Sequence, residues 1–267
     1  MDKTSANKSI HKTSAEALKY RVPALEKGLD ILEYLSDIGV PQSQADIARA
    51  LGRNTSEIFR MLDCLEQRGY LLRDSSAKYQ LSLKLYQLAH THSPVDTLLE
   101  AAQRPMRDLA NQQRESVHLS VLHEGQLLVL AEELSPDPIR ISVEVGKSFP
   151  AIKTASGKLL LAQLEQSEVE AFFKDDPHTQ HASQKTQRDL HKQVTGLRGA
   201  TSFVAESDIT VGVQDVSVLI GQASLGLSAT LTVPLLMLKD RKLETDKVLC
   251  ALTAAAQHIN SDLGLEI

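Results

Sequence analysis

The spacing of apolar residues changes at Gly69, and this change constrains how the N-terminal third of the chain folds. Before Gly69, three short segments repeat their apolar residues every three or four positions, as amphipathic helices do. After Gly69, Tyr70–Arg73 and Lys78–Leu81 flank the turn-forming run Asp74–Ser76, which predicts a β-hairpin. This third of the chain is therefore predicted to hold three helices followed by a hairpin.

Local start and stop signals delimit the three helices. The first follows Pro23, and proline is favoured in the first turn of a helix. The second is predicted to run from Ser43, a good N-cap, to Gly52, a good helix stop. The third opens at Asn54, with Glu57 placed to complete a capping box. The apolar stripes are Leu25, Leu29, Leu32 and Leu35 in the first helix, Ile47, Ala48 and Leu51 in the second, and Ile58, Met61, Leu62 and Leu65 in the third.

The short joint between the second and third helices suggests a helix-turn-helix. Only Gly52–Asn54 separates the two helices, so the third is expected to project from its domain with Ser56 and Arg60 facing outward. The hairpin would be a wing with basic residues near its tip. The residue types are suited to phosphates and base edges. The candidate DNA-contacting residues are Arg49, Arg53, Asn54, Thr55, Ser56, Arg60, Arg73 and Lys78.

Plainer interpretations of the same residues stay open. Asn54 and Glu57 are also what a helix N-terminus needs for capping, and an acidic side chain there would repel phosphate. Arg60 fits a solvated surface position, and the hairpin fits a role in closing the core.

Composition favours an ordinary globular chain of two domains. The 267 residues are 42% hydrophobic and 24% charged. Residues 1–92 carry 13 Lys and Arg against 11 Asp and Glu, whereas the remainder is acidic. Residues 1–20 are polar and are predicted to form a mobile tail of a cytoplasmic protein, with neither a signal peptide nor a membrane span. Cys64 and Cys250 are predicted to be buried on apolar helix faces, and no metal or cofactor site is predicted.

Four sequence runs resemble those of a known family. They are Leu25–Leu29, Ala45–Gly52, Arg60–Leu65 with Gly69–Tyr70, and Tyr79–Leu81. Together they resemble the isocitrate-lyase-regulator (IclR) family of bacterial transcription factors, and the resemblance continues beyond the helix-turn-helix.

The resemblance implies an α+β protein of two domains. A winged helix-turn-helix at 21–83 would be followed by connector helices at 84–114 that contribute to dimer contacts. Proline ends or restarts a helix, so the domain boundary is predicted at Ser93–Pro94, within this connector. Residues 115–267 would form a GAF-like effector-binding domain with a mainly antiparallel sheet. The expected partners are double-stranded operator DNA, a small-molecule effector and a second copy of the chain, as a homodimer or a dimer of dimers.

The C-terminal pattern mixes strands with helices. Predicted strands are Val117–Leu122, Leu127–Ala131, Ile139–Val145, Thr201–Val204, Ile209–Val213 and Leu225–Val233. Predicted helices are Val95–Arg114, Ser156–Gln163, Glu168–Phe173, Gln184–Leu197 and Leu236–Leu263. The stretch Val216–Ser228 looks like a connection longer than the usual tight turn.

The run Phe149–Ala162 is the most suggestive ligand site. A small-residue turn feeding an apolar helix exposes backbone N–H groups that favour a carboxylate or phosphate, although Ser156 fits a plain helix cap equally well. The resemblance implies that an organic acid binds at Thr154, Ala155, Ser156 and Gly157, with Asp208 and Thr232 as polar contacts. Alone, Asp208 and Thr232 fit strand-end or turn positions.

A catalytic site is not predicted. His118 and His123 are expected on opposite faces of a strand, and Cys64 on a buried face. The function indicated is a ligand-responsive transcriptional regulator, whether repressor or activator, whose effector shifts the population of domain orientations. The alternative is an enzyme or carrier of small organic acids with an N-terminal dimerisation module.

Overall fold

A computed structural model describes residues 22–89, 94–222, 227–237 and 245–265. The chain divides into two compact units on either side of the Ser93–Pro94 junction. The tail predicted at residues 1–20 lies outside the described residues. Among the described residues, no helix is long and apolar enough to cross a membrane.

The N-terminal unit is a winged helix-turn-helix, as predicted. Its helices are α1 (Pro23–Ile38), α2 (Gln44–Ala50), α3 (Thr55–Gln67) and α4 (Lys84–Ala89). Its strands are β1 (Gln42–Ser43), β2 (Leu71–Arg73) and β3 (Lys78–Leu81), which pair antiparallel in the order β1-β3-β2. The hairpin is thus confirmed, and β1 adds a third strand that was not predicted.

The core of this unit lies between α1, α2, α3 and the hairpin. Its buried members are Ile31, Leu35, Ile47, Ala48, Ile58, Leu62, Leu71 and Tyr79. The predicted stripe of α1 was wrong at its first two positions, because Leu25 and Leu29 are exposed. At 100° per residue, both lie roughly a quarter to a third of a turn from Leu35, and Ile31 takes the buried position instead.

The C-terminal unit is built on a six-stranded antiparallel sheet in the order β6-β5-β4-β9-β8-β7. The strands are β4 (Val117–His123), β5 (Gln126–Glu133), β6 (Ser148–Pro150), β7 (Ser202–Glu206), β8 (Val213–Gln222) and β9 (Leu227–Leu236). The helices are α5 (Pro94–Gln113), α6 (Ala155–Leu161), α7 (Gln166–Asp175), α8 (Pro177–Gln180), α9 (Gln184–Gly196) and α10 (Thr245–Asp262), with a 3₁₀ turn at Ala151–Lys153. The predicted α+β class and antiparallel sheet are confirmed.

The two faces of this sheet differ in chemistry. One face carries valine, leucine and isoleucine and packs against α5 and α10 in the main core, for which α5 supplies Leu98, Ala102 and Met106. Helix α5, which we assigned to the connector, is therefore part of the C-terminal core. The other face packs against α6, where Leu159 and Leu160 meet Leu219 of β8.

Three predicted elements of this unit were wrong. Ile139–Val145 is not a strand. Instead of pairing with a neighbouring strand, this segment donates hydrogen bonds to the Glu132 carboxylate, from Ser142 Oγ at 2.9 Å and from Val143 N at 2.6 Å. Ile209–Val213 is a loop up to its last residue, because Gly212 has φ +82° and Val211 is fully exposed. The stretch Val216–Ser228, predicted to be a long connection, is a strand in its first half, because β8 continues to Gln222.

Both cysteines are exposed, so their predicted burial was wrong. Cys64 follows the buried Leu62 by two residues, which is about 200° around α3 and places it on the opposite side. The predicted helix Leu236–Leu263 also begins too early, since Leu236 ends β9.

Candidate nucleic-acid interface and ligand site

The joint between α2 and α3 is held by caps and backbone bonds. Ser43 Oγ accepts from Asp46 N at 3.2 Å, which caps α2, and Gly52 turns the chain with φ +62°. Arg53 N then donates to Ala48 O at 2.8 Å. Asn54 Oδ1 accepts from Glu57 N at 2.8 Å and caps α3. The predicted start of α3 is therefore confirmed.

Helix α3 has one buried and one exposed side. Ile58 and Leu62 are fully buried in the unit's core. The exposed side follows helical spacing and comprises Ser56, Phe59, Arg60, Asp63, Cys64 and Gln67. Ser56 and Arg60, predicted to face outward, are both on it. Phe59 was not singled out from the sequence, although it is the exposed large apolar side chain of this helix.

Acidic neighbours engage the basic residues around the joint. Arg49 Nη1 lies 3.0 Å from Asp46 Oδ1, and Arg53 Nη2 lies 3.4 Å from Asp30 Oδ2. Lys27 pairs with the Glu57 carboxylate, and this contact lowers the pKa of Glu57 below its usual value. These pairs are at least partly solvent-accessible, so each contributes little to stability. Phosphate groups would compete for the same cations.

The wing is a tight hairpin with two basic residues beside its turn. Asp74 Oδ1 accepts from Ser76 N at 2.8 Å and from Lys78 N at 2.9 Å, which closes the turn. The Arg73 guanidinium lies 5.4 Å from the centre of the Tyr79 ring, across the strand pair. Arg73 and Lys78 thus flank the turn, as predicted from the sequence.

The face of the large sheet beneath α6 is polar and buried. Its buried polar residues on β4, β8 and β9 are His118, Ser120, Asp215, Ser217, Thr230 and Thr232. Strand register aligns His118 with Thr232 and Thr232 with Ser217 across the three strands. Ser217 Oγ and Thr232 Oγ1 are 2.9 Å apart. We call these six residues the polar layer.

The start of α6 is more constrained by packing than the sequence suggested. Thr154 caps the helix, since its Oγ1 accepts from Gly157 N at 3.0 Å, so the alternative in which Ser156 caps was wrong. A Cβ at Gly157 would lie 2.2 Å from Ala151 O, inside a backbone contact. Thr154, Ala155, Ser156 and Gly157 are all buried, and α6 has only seven residues. Gly157 is therefore required because a side chain at this position would collide with the backbone of the 3₁₀ turn. A role for exposed backbone amides in ligand binding is not needed to explain the glycine.

A buried lysine on α6 was missed by the sequence reasoning. The Lys158 side chain is 7% exposed, and its Nζ lies 2.7 Å from Oδ2 of Asp208, which is 53% exposed. Asp208, predicted as an effector contact, therefore reaches α6 from the β7–β8 loop. A lysine inside the otherwise small and apolar run Thr154–Ala162 was the available signal, because lysine is seldom buried without a partner.

Burial shifts the acid–base properties of two residues in the polar layer. It lowers the pKa of His118 to about 4, so this imidazole is neutral at pH 7. It raises the pKa of Asp215 to about 6; the nearby Asp208 charge adds to the rise and a hydrogen bond with Ser207 opposes it. His123 lies at the exposed end of β4, apart from the buried His118. Within the described ranges, no group of three His, Cys, Asp or Glu side chains is placed to hold a metal ion.

A separate open cleft of about 670 Å³ lies at the far end of β8. It is lined by residues that include Gln163, Glu168, Gly221, Gln257 and Asn260. Asn260 Oδ1 accepts from Gly221 N at 2.9 Å, which provides a hydrogen-bond partner for a backbone N–H group near the end of β8. None of the predicted effector residues lines this cleft, so it is distinct from the polar layer.

Two family models cover most of the chain. The model for the bacterial transcriptional regulator IclR C-terminal region matches residues 92–261. The model for the IclR helix-turn-helix domain matches residues 24–75.

Curated relatives and solved structures agree with these matches. The glycerol operon regulatory protein of Streptomyces coelicolor is 33% identical over 155 residues, which are 58% of this chain and 61% of that protein. The transcriptional regulator KdgR of Escherichia coli is 30% identical over 157 residues, 57% of this chain and 58% of KdgR. The matched region spans about three fifths of these relatives. Both names describe regulatory proteins.

The fold is shared with an IclR homologue from Microbacterium hydrocarbonoxydans solved in complex with 4-hydroxybenzoate. The TM-score is 0.76 at 21% identity, and the match covers 90% of this chain and 99% of that one. At this identity the likeness concerns the fold. With its two family models in order along the chain, the protein belongs to the IclR family of bacterial transcriptional regulators.

Proposed function

We propose that this protein is a ligand-responsive transcriptional regulator that binds operator DNA through α3 and the wing and a small carboxylic acid through its C-terminal unit. The observation that carries the DNA-binding part is the exposed side of α3. Ser56 and Arg60 are exposed on this side, while the opposite side of the helix packs into the core. The N-terminal turns of such a helix contact base edges in the major groove. The protein would act in the cytoplasm, where its operator lies.

The remaining candidate residues fall into supporting roles. Asn54 Oδ1 is used to cap α3, so Asn54 and Thr55 would serve the DNA backbone rather than bases. Arg49 and Arg53 would exchange their present carboxylate partners for phosphates. Arg73 and Lys78 would reach the backbone from the wing.

Recognition would be symmetric. One short helix reads only a few base pairs, and pairing two copies raises specificity. Helix α4, in the proposed connector, exposes Leu85, Tyr86 and Leu88, and Leu83 before it is 75% exposed. Such an exposed apolar patch supports contact with a second copy, as a homodimer or a dimer of dimers.

Two arginines, one on α3 and one directly after its last residue, test the DNA-binding part. A duplex would first be selected from a random pool by the full-length protein, and its affinity measured by fluorescence anisotropy at fixed salt. We expect Arg60→Ala to weaken binding by roughly 10- to 100-fold, the value of one good base contact. Arg68→Ala, which removes the same charge from the exposed C-terminal end of α3, should change affinity less than about threefold. Equal effects of the two variants would contradict base reading by α3.

The ligand part of the proposal rests on the polar layer and Lys158. Burying hydroxyl groups and an ammonium group is costly unless they have partners. Between α6 and the sheet, Lys158 would supply the charge for a carboxylate, while Ser217 and Thr232 offer hydroxyl groups. Thr154, Ala155, Ser156, Gly157 and Asp208 would border the same site. An effector carboxylate would compete with Asp208 for the lysine.

A thermal-shift screen tests this site. The probes are 4-hydroxybenzoate, a panel of aliphatic monocarboxylic acids, and the uncharged amide of the best acid. We expect the acid but not its amide to raise the melting temperature of the wild type. Lys158→Met should abolish that rise, whereas Lys153→Met, at an exposed position in the same segment, should preserve it. A rise that survives Lys158→Met would contradict the site.

A further inference from the structure

The second turn of α3 exposes an aromatic ring among polar neighbours. Phe59 is 51% exposed, while Ile58 beside it is completely buried. Phe59 is absent from the set of side chains that pack against the core of the unit. The core of the N-terminal unit therefore does not bury this ring, and its presence on the outer side of α3 calls for another explanation.

Helical geometry places Phe59 beside the two side chains assigned to base contact. At 100° per residue, Phe59 lies about 60° to one side of Ser56 and Arg60 about 40° to the other, so the three exposed side chains share one face over the first two turns. Beyond that patch the exposed side of α3 turns acidic at Asp63, which would repel phosphate. A ring in this position would enter the groove together with Ser56 and Arg60.

The chemistry of the major groove offers one strongly apolar feature, the C5-methyl group of thymine. Hydroxyl and guanidinium groups recognise acceptors and donors on base edges, but neither recognises a methyl group. A phenyl ring provides an apolar surface and no hydrogen bonds. The ring can therefore recognise a methyl group on a base, which Ser56 and Arg60 cannot.

We propose that Phe59 is a specificity-determining residue that reads a thymine methyl group in each operator half-site; this rests on the DNA-binding function proposed above. Its ring packs against the methyl group and excludes water from it. Cytosine lacks this group, so the contact favours T·A pairs at that position.

The test removes the methyl group and the ring separately. After a duplex has been selected by the full-length wild type, each thymine is replaced in turn by deoxyuridine, which lacks the methyl group but keeps the same hydrogen-bonding groups. Affinities are measured for the wild type and for Phe59→Ala on every duplex. The expected loss for the wild type is about fourfold at one or two thymines per half-site, which corresponds to one buried methyl group. Phe59→Ala should bind the parent duplex more weakly and be indifferent to deoxyuridine at those positions.

Two control variants separate the ring from general effects. Leu72→Ala removes a side chain that is 53% exposed on the wing, and it should keep the wild-type response to deoxyuridine. Arg60→Ala should bind more weakly yet keep the same methyl dependence. Melting temperatures of Phe59→Ala and the wild type should agree, since the ring lies outside the core.

The outcomes distinguish this inference from the proposed function. If the wild type responds to no deoxyuridine, or Phe59→Ala responds as the wild type does, the role of Phe59 is overturned while DNA binding stands. If the protein enriches no duplex from the pool, the proposed function fails, and the inference fails with it.

Discussion

The two units place their polar side chains in opposite ways relative to their cores. On α3, Ser56 and Arg60 are exposed and the buried side is entirely apolar. In the C-terminal unit, the polar layer is buried between the sheet and α6, with Ser120, Ser217 and Thr230 fully inaccessible. A macromolecular partner such as DNA can bind to an exposed surface, whereas a small molecule must be enclosed by the protein to bind strongly.

This difference has a cost in stability for the C-terminal unit. Exposed polar groups keep their water and cost little. A buried hydroxyl or amide without a full set of partners costs about 1–3 kcal/mol. In the polar layer the buried Ser120 hydroxyl is such a group, because it has no hydrogen-bond partner among the described residues.

The largest contrast is expected at two glycines. Gly157→Ala would place a Cβ 2.2 Å from Ala151 O, so the 3₁₀ turn must shift, and we expect a loss of about 3 kcal/mol or more. Gly28→Ala, inside α1 and with no described atom within 4 Å, should stabilise its unit by up to about 1 kcal/mol. Peptide-resolved hydrogen exchange on the full chain assigns each change to its unit. A Gly157→Ala variant as protected as the wild type would show that α6 tolerates the shift.

The pH dependence of stability should expose two opposing groups in the polar layer. The folded-state pKa of Asp215, about 6, lies above its ordinary 3.8, so the folded state binds the extra proton and this group lowers stability as pH rises from 4 to 6. The folded-state pKa of His118, about 4, lies below 6.5, so the unfolded state binds the extra proton and stability falls as pH drops from 6.5 to 4. The two slopes oppose each other and largely cancel in the wild type.

Single substitutions separate these slopes. Relative to the wild type, Asp215→Asn should gain stability as pH rises through 4–6, and His118→Gln should gain stability as pH falls through 6.5–4. Each change should be on the order of 2–3 kcal/mol. Urea titrations at several pH values measure it, and only the C-terminal unit should respond. A variant whose stability keeps the pH dependence of the wild type would show that the substituted group is solvated in the folded protein.

The helix-turn-helix could be predicted from sequence because its signals are local. Ser43, Gly52 and Asn54 each act on residues within one helical turn, and the structure shows each of them in its predicted role. The same local reasoning erred at Cys64 and at Leu29, where helical spacing identifies a stripe but not the centre of the buried side.

The polar layer could not be predicted in the same way, because strand register and helix packing create it. Ser217 and Thr232 meet only through the pairing of β8 with β9, and His118 joins them from β4. An alternation of polar and apolar residues indicates a strand with one buried face; it does not reveal that α6 buries the polar face too. Lys158 was overlooked for that reason, since lysine in a helix usually indicates a solvated position.

The smallest predicted change in the free energy of unfolding comes from replacing one serine in each unit. Ser120 Oγ is buried and has no hydrogen-bond partner among the described residues, although its backbone carbonyl accepts from Thr230 Oγ1 at 3.5 Å. Ser120→Ala should therefore raise the free energy of unfolding by about 1 kcal/mol, because a desolvated hydroxyl is removed without leaving a partner unsatisfied. Ser56→Ala, at an exposed site on α3, should change it by less than about 0.5 kcal/mol.

The same serine pair links stability to ligand binding. If the Ser120 hydroxyl is retained for the effector, Ser120→Ala should also reduce the rise in melting temperature produced by the best carboxylic acid, while Ser56→Ala leaves that rise intact. A variant that is both more stable and less responsive indicates a group kept for the ligand at the expense of the unliganded fold. A Ser120→Ala variant less stable than the wild type would instead show that the hydroxyl has a structural partner, and the polar layer would then be part of the core.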